Sequence, residues 1–322
     1  MVCGLSTIIR DFVRRHGLHV VSDGDLDGIF ASGLLLRVLG FEGDLEGVVE
    51  FPHPLSLSGL RVSSSILIEL PLSKGLVYCG ENILIDHHPE PPRVELYRDE
   101  NCVESVVVGG AESVASVVYM IFRDVLELSD TALKILRAID NIDQGRHPDK
   151  LSVDLHNAFS LNKRDDGMRY MLVRAILEDR WGSIIRWAEA ESRRFEEQVP
   201  IKIEELIGRA QRLTGNVVYF TYDFDDNVET AAMTNAMISL EDKYDIVIAI
   251  ATKNNKPISA RIATKKDIDL LPVFEKLREQ GINAGGRKNV GGAQFGDIAT
   301  LDETIRILEK AIKNTLTDKN NG

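Results

Sequence analysis

The 322-residue chain is long enough for two ordinary domains, and its 44% hydrophobic and 27% charged residues exclude a disordered or low-complexity polymer. A formal net charge of -12 excludes a surface that attracts polyanions as a whole, so a nucleic-acid ligand needs a local basic patch or bridging cations. Cys3, Cys79 and Cys102 have no paired metal spacing and suit a reducing cytoplasm, and no apolar run approaches the ~20 residues that cross a bilayer.

Met1 to Arg15 mixes apolar residues with Arg10, Asp11, Arg14 and Arg15, the pattern of an amphipathic helix and not of a signal peptide. Leu18 to Ser22 reads as a short strand running into an acidic turn from Asp23 to Gly28, and Ile29 to Leu39 as an apolar helix. Gly47 to Phe51, Ser65 to Leu70 and Asn82 to Ile85 are further short apolar runs with turn residues between them. Short buried strands separated by helices predict an α/β fold with a mostly parallel sheet flanked by helices. Ligands of such sheets collect at the C-terminal strand edges. Asp23, Glu69 and Asp86 each end one run and are expected to converge on one rim.

From Glu112 the pattern turns helical, over Ser113 to Val125 and from the cap-like Ser129-Asp130 to Asp140. Arg169 to Leu213 predicts long helices, broken near Pro200, that connect two domains. A smaller α/β domain follows. Its strands are expected at Asn216 to Tyr222, Tyr244 to Thr252 and Ile258 to Ala263, its helices at Glu229 to Leu240, Leu270 to Gln280 and Leu301 to Asn314. The predicted division is 1–205, with the helical connector, and 215–318. Lys319 to Gly322 is expected to fray.

Asp23, Asp25 and Asp27 occupy alternate positions before Gly28. At a strand-to-turn transition such side chains curl around one point, and three ionised carboxylates there repel one another. A hard divalent cation removes that cost. Asp and Gly also suit a plain turn and helix N-cap, which explains one or two of these Asp residues better than three. An EF-hand loop would need Glu at its last ligand position, where this chain has Leu34. Asp86-His87-His88 follows Ile83-Leu84-Ile85, and is either a surface turn or a metal ligand beside a group facing an anionic substrate. Carboxylates combined with imidazoles favour manganese, and all-oxygen sets favour magnesium.

These two segments together resemble the DHH phosphoesterase superfamily, which includes RecJ exonucleases, nanoRNases, phosphoadenosine-phosphate phosphatases, cyclic-dinucleotide phosphodiesterases and family II pyrophosphatases. The likeness reaches into the C-terminal block. There Ser259-Ala260-Arg261 resembles the Ser-x-Arg of the DHH-associated domain, and Gly285-Gly286-Arg287 through Gly291-Gly292-Ala293 its glycine-rich loop. Asp23 before Asp25, with Val21 where many members carry His, resembles the RecJ branch and points to an archaeal source.

The resemblance implies two Mn2+ ions, with Mg2+ as the alternative, held by Asp23, Asp25, Asp27, Glu69, His87 and Asp140. Asp143 is the alternative to Asp140. Glu69 stands where the family has the shorter Asp, so it can bridge only with a shifted backbone. Asp86, His87 and His88 would form the catalytic set, His88 bonding a phosphate oxygen and Asp86 orienting an imidazole. Ser113 matches a helix start that meets substrate, and equally a plain N-cap. Arg261, Gly285, Gly286, Arg287, Gly291 and Gly292 would grip phosphate, amid a locally basic stretch that includes Lys253, Lys256, Lys265, Lys266 and Lys288.

The implied activity is hydrolysis of phosphodiesters in single-stranded DNA or RNA, above all short oligonucleotides, by a cytoplasmic RecJ-like exonuclease or nanoRNase with no membrane partner. The alternatives are a small-nucleotide phosphatase or cyclic-dinucleotide phosphodiesterase, and a catalytically impaired RecJ-like scaffold that binds the GINS complex. His53, His147 and His156 read as loop residues, and Trp181 and Trp187 as packing residues.

Overall fold

The computed structural model describes residues 2–53, 56–88, 91–296 and 300–318. The expected fraying of Lys319 to Gly322 lies outside the described residues. The chain forms two compact units, Met1–Ser192 and Arg193–Gly322.

The first unit opens with α1 (Val2–His16), followed by β1 (Val20–Ser22), α2 (Leu26–Val38) and β2 (Val49–Glu50). Then come β3 (Arg61–Ser63), β4 (Ile66–Ile68), β5 (Val77–Cys79), β6 (Glu81–Asp86), β7 (Arg93–Arg98) and β8 (Asn101–Val107). Helices α3 (Val114–Phe122), α4 (Asp130–Asp143), α5 (Lys150–Asn162) and α6 (Asp166–Leu177) complete it, with the first part of α7 (Trp181–Gly208). The main sheet has the order β2-β1-β4-β6-β7-β8; its first four strands are parallel, and β7 and β8 return antiparallel. Val20, Val21, Ile66, Leu67, Ile68, Ile83 and Ile85 are all fully buried, because helices or loops cover both faces of these central strands.

Neither β7 nor β8 is among the expected strands, nor is the separate parallel pair β3 and β5. Arg93, Glu95 and Arg98 break the apolar run in β7, and β8 is almost wholly exposed, so neither shows a continuous hydrophobic signature. Helix α2 is apolar all round and buried from Leu26 to Leu36. It packs on α6 so closely that a Cβ on Gly33 would lie 2.8 Å from Cβ of Ile176.

The break expected near Pro200 does not occur: α7 continues through it to Gly208. An interior proline costs about 3 kcal/mol, and here Val199 and Leu206 on either side of it are buried, which holds the helix together. The division between units accordingly falls inside α7 rather than at 205–215.

The second unit contains β9 (Gln211–Thr214), β10 (Val217–Asp223), α8 (Asn227–Glu241), β11 (Ile246–Lys253) and β12 (Lys256–Ala263). It continues with α9 (Leu271–Glu279), β13 (Asn283–Gly286), β14 (Val290–Gln294) and α10 (Leu301–Asp318). Its sheet has the order β13-β14-β12-β11-β10-β9, with only β10 and β11 parallel. The core lies under α9 and α10, where Ile248, Ile250, Ile262, Phe274 and Leu308 are fully buried. Among the described residues, no helix is long and apolar enough to cross a membrane.

Candidate metal centre

The strand register places the site. Ser22 pairs with Ile68, and Ile68 with Ile85, so β1, β4 and β6 end side by side. The residue after each end, Asp23, Glu69 and Asp86, therefore lies on one rim. The backbone keeps this alignment one step further: Asp23 N–H donates to Ile68 O at 3.3 Å, and Glu69 N–H to Ile85 O at 3.1 Å.

The triple-Asp segment performs three local tasks. Asp25 caps α2, its Oδ1 accepting from Gly28 N–H at 2.8 Å. Asp27, inside the first turn, accepts from Val114 N–H at 2.7 Å and Ala115 N–H at 2.9 Å, the open amides at the start of α3. Asp23 Oδ2 meets Lys74 Nζ at 3.2 Å. The closing glycine is a packing requirement, since a Cβ on Gly28 would collide with Ser22 Oγ and sit 2.8 Å from Asp23 Oδ1.

Glu69 has φ 57, a left-handed conformation costly for a non-glycine residue. Its side chain is fully buried, and both carboxylate oxygens, with His87 Nε2, have no hydrogen-bond partner. His87 Nε2 lies only 2.8 Å from Glu69 Oε1, at an angle that makes no hydrogen bond. Buried polar atoms left unpaired are costly. Unpaired atoms converging on one point fit a cation.

Three groups of side chains offer ligand atoms within 4.8 Å of one another: Asp23–Asp25–Glu69, Asp27–His87–Asp143 and Glu69–His87–His88. Glu69 and His87 each belong to two of them, so the groups form one connected cluster. The mix of carboxylate oxygen and imidazole nitrogen suits manganese-like ions as well as magnesium. The residues present fit divalent metal.

The charges in the cluster press on one another. Burial, then the charge of Asp25, raises Asp23 to about 7, with Lys74 opposing. Burial also raises Asp27, helped by Glu69 and Asp25 and opposed by the α3 amides. Glu69 is raised by burial and by Asp25, Asp23, Asp86 and Asp143. Asp143 is raised by burial, against the pull of His87. Each shift disfavours the ionised form, and a bound cation reverses it.

Asp86 is buried, and its Oδ1 accepts from His88 N–H and His88 Nδ1, both at 2.9 Å, so it orients His88. Asp140 stands outside the ligand groups: its Oδ1 accepts from Ser113 Oγ and Ser116 Oγ, both at 2.6 Å. Ser113 is also the N-cap of α3, accepting from Ser116 N–H. Asp143, one helical turn on, is the α4 residue that joins His87. His53 is exposed, and the rings of His147 and His156 meet at 4.4 Å, tilted by 48°. Trp181 is buried and Trp187 packs against the first unit's core.

Two residues escaped the sequence reading. Lys74 ends a single 3-10 turn, Leu72–Lys74, with no pattern to mark it. Arg169 donates from Nε to Gly24 O at 2.8 Å, securing the acidic turn from α6. Only its place in the fold reveals that role.

In the second unit, Arg261 on β12 lines a cleft of about 650 Å³ with Met237, Ile238, Glu241, Lys266 and Asn289. Burial raises Glu241, against the charges of Lys265 and Arg261. The expected glycine-rich loop is a hairpin. Gly285 pairs with Gly292 and Gly286 with Gly291, and Arg287 sits on the exposed turn, its N–H donating to Val290 O at 2.7 Å. Phe274 covers the hairpin closely enough that a Cβ on Gly286 would lie 2.9 Å from its ring. A Cβ there would also lie 2.4 Å from Gly291 Cα, and one on Gly291 2.3 Å from the Phe274 ring and 2.4 Å from Gly285 O, so the facing strand and the ring together require both glycines.

No family model matches the chain, and no curated protein matches it. Solved structures do. A pGpG-specific phosphodiesterase from Vibrio cholerae aligns over 94% of this chain and 99% of its own at 15% identity, with a TM-score of 0.52. Exonuclease RecJ bound to manganese aligns over 97% and 93% at 13% identity, with a TM-score of 0.56. RecJ from Thermus thermophilus in complex with Mn2+ gives 0.54 at 13% identity, and there 97% of this chain spans 55% of the other. The chain shares its mixed α/β fold with these RecJ structures. More particularly, that fold is shared with the DHH domain of a member of a ribosomal protein family, at a TM-score of 0.54 and 13% identity over 98% and 90%.

Proposed function

We propose that the protein is a metal-dependent phosphoesterase of the DHH superfamily that hydrolyses phosphodiester bonds in short single-stranded oligonucleotides. The observation that carries this reading is Glu69: a fully buried carboxylate, both oxygens without a hydrogen-bond partner, in a left-handed backbone conformation with the His87 and His88 imidazoles at 2.8 and 3.4 Å from Oε1. A purely structural glutamate would pair those oxygens or lie in solvent.

Asp23, Asp25, Asp27, Glu69, His87 and Asp143 would hold two divalent ions, Mn2+ or Mg2+. When bound, such ions lower the pKa of water and stabilise charge at phosphorus. The chain itself does the positioning. Asp86 takes Nδ1 of His88 and leaves Nε2 as the ring atom that meets a phosphate oxygen. Asp27 is fixed by the α3 amides and Asp25 by its cap, so neither carboxylate has to reorganise. Asp140 supports through Ser113 and Ser116. In the second unit, the cationic cleft with Arg261 supplies a phosphate grip beside the apolar wall of Met237 and Ile238, a pairing that suits a nucleotide.

The test is hydrolysis of end-labelled two- to five-nucleotide RNA and DNA, and of cyclic dinucleotides, with Mn2+ or Mg2+. Metal-dependent release of mononucleotides that is lost in His87→Ala supports the reading. No turnover of any of these substrates with either metal sinks it.

A further inference from the structure

Lys74 brings an ammonium against the carboxylate cluster. It stands at the end of the 3-10 turn through which the chain leaves β4, closed by Gly75 at φ 89. Its N–H donates to Pro71 O at 2.9 Å, so the base of the side chain is fixed relative to Glu69. From there Nζ reaches Asp23 Oδ2 at 3.2 Å, and the lysine side chain remains 34% exposed against 17% for Asp23. Asp23 in turn shares a ligand group with Asp25 and Glu69.

We propose that Lys74 is a positioning residue that competes with the divalent ion for Asp23. Its ammonium and the cation seek the same carboxylate, and binding of the ion turns Lys74 outwards. The inference rests on the metal-dependent reading above. Two features make the exchange feasible. A lysine head is a point charge on a flexible stem, with solvent already at hand. A divalent ion brings twice the charge to three carboxylates at once, where the ammonium reaches Asp23. Lys74 thereby keeps the acidic cluster tolerable before the ion arrives and raises the cation concentration needed to fill it.

Manganese binding is titrated by the electron paramagnetic resonance of free Mn2+ in chelator-stripped wild type, Lys74→Met and Lys74→Arg. Lys74→Met is expected to bind Mn2+ about two- to fivefold more tightly than wild type, the scale of one partly exposed ion pair, and Lys74→Arg no more tightly. The stripped Lys74→Met protein melts below wild type at pH 8, and saturating Mn2+ closes that gap. Unchanged or weaker Mn2+ binding by Lys74→Met overturns the proposal. So does a melting gap that persists in saturating Mn2+, which marks a merely structural lysine. If wild type itself binds no Mn2+, the metal-dependent reading fails and takes this inference with it; if wild type binds and Lys74→Met binds alike, only the inference fails.

Discussion

A left-handed φ at a non-glycine residue costs on the order of 1–3 kcal/mol, and at Glu69 burial of an unpaired carboxylate adds to it. Function and stability should therefore pull apart at this position. Glu69→Gln is expected to lower kcat by about two orders of magnitude or more while raising the melting temperature of the chelated protein, because the cost of burying an ionisable carboxyl among other acids is removed. Calorimetry beside a turnover assay reads both. Asp23 gives the matching pH effect. Its folded pKa of about 7 lies above the ordinary 3.8, so the folded chain holds that proton more tightly than the unfolded chain. The associated stability is fully present below 3.8 and is lost as pH rises through about 7. Asp23→Asn cannot ionise, so in chelator its melting temperature should gain on wild type between the ordinary pKa of 3.8 and the folded value of about 7, and gain nothing below that range. Much of this site was legible in the residues. Asp23, Glu69 and Asp86 each terminate an apolar run, a signal that survives without knowledge of the fold. The choice between Asp140 and Asp143 was not legible, because they lie one turn apart on α4; in the fold the Ser113 and Ser116 hydroxyls meet Asp140, while Asp143 lies beside His87. Lys74 depends on a turn after β4 that no periodicity marks.

Elements were readable where their hydrophobic period was strong and both sides were covered. Strands β1, β4, β6, β10 and β11 follow that rule, and β12 was readable although Lys256 and Arg261 are exposed. Strands β7, β8 and β9 did not, since exposed or alternating charged residues dilute the pattern, and β13 and β14 were hidden by glycines that normally argue for a loop. Helix α7 overrode its proline through buried residues on both sides, a tertiary effect absent from local preference. Helix α2 packs closely on α6. There the methyl of Gly33→Ala would press on Cβ, Cγ2 and Cδ1 of Ile176, at 2.8–2.9 Å. Overpacking of this kind costs about 1–3 kcal/mol, so urea unfolding should show a lower midpoint at an unchanged slope. Ile176→Val in the same chain should recover part of it; no recovery would place the strain elsewhere.

At the scale of the molecule, a net charge of -12 sets binding against a general repulsion of polyanions. The cationic cleft of the second unit is a local exception, with Arg261 and Lys266 on its walls. Binding of a labelled 5′-phosphorylated dinucleotide in excess EDTA should therefore weaken in Arg261→Ala by about tenfold or more, the scale of one charge-assisted bidentate contact. It should weaken with added salt only as steeply as one or two phosphates demand. Equal binding by wild type and Arg261→Ala would remove the cleft from the substrate path. Arg287, out on the hairpin turn, provides the contrast: its substitution should matter less than that of Arg261.

The register of β1, β4 and β6 carries a consequence for how much of the sequence the site constrains. Neighbouring strands stand about 4.8 Å apart whatever lies between them in the chain. The spacing of Asp23, Glu69 and Asp86 is thus a fixed pitch, written by backbone pairing and not by the number of intervening residues. Segments such as 39–65 and 70–82 can lengthen, shorten or change composition without moving a carboxylate. Most of a sequence can then change while the rim stays put, and this chain, which no family model matches, shares its fold with solved structures at 13–15% identity. Other chains that build such a rim would be found by three apolar triplets each followed by an acid, with the gaps left free.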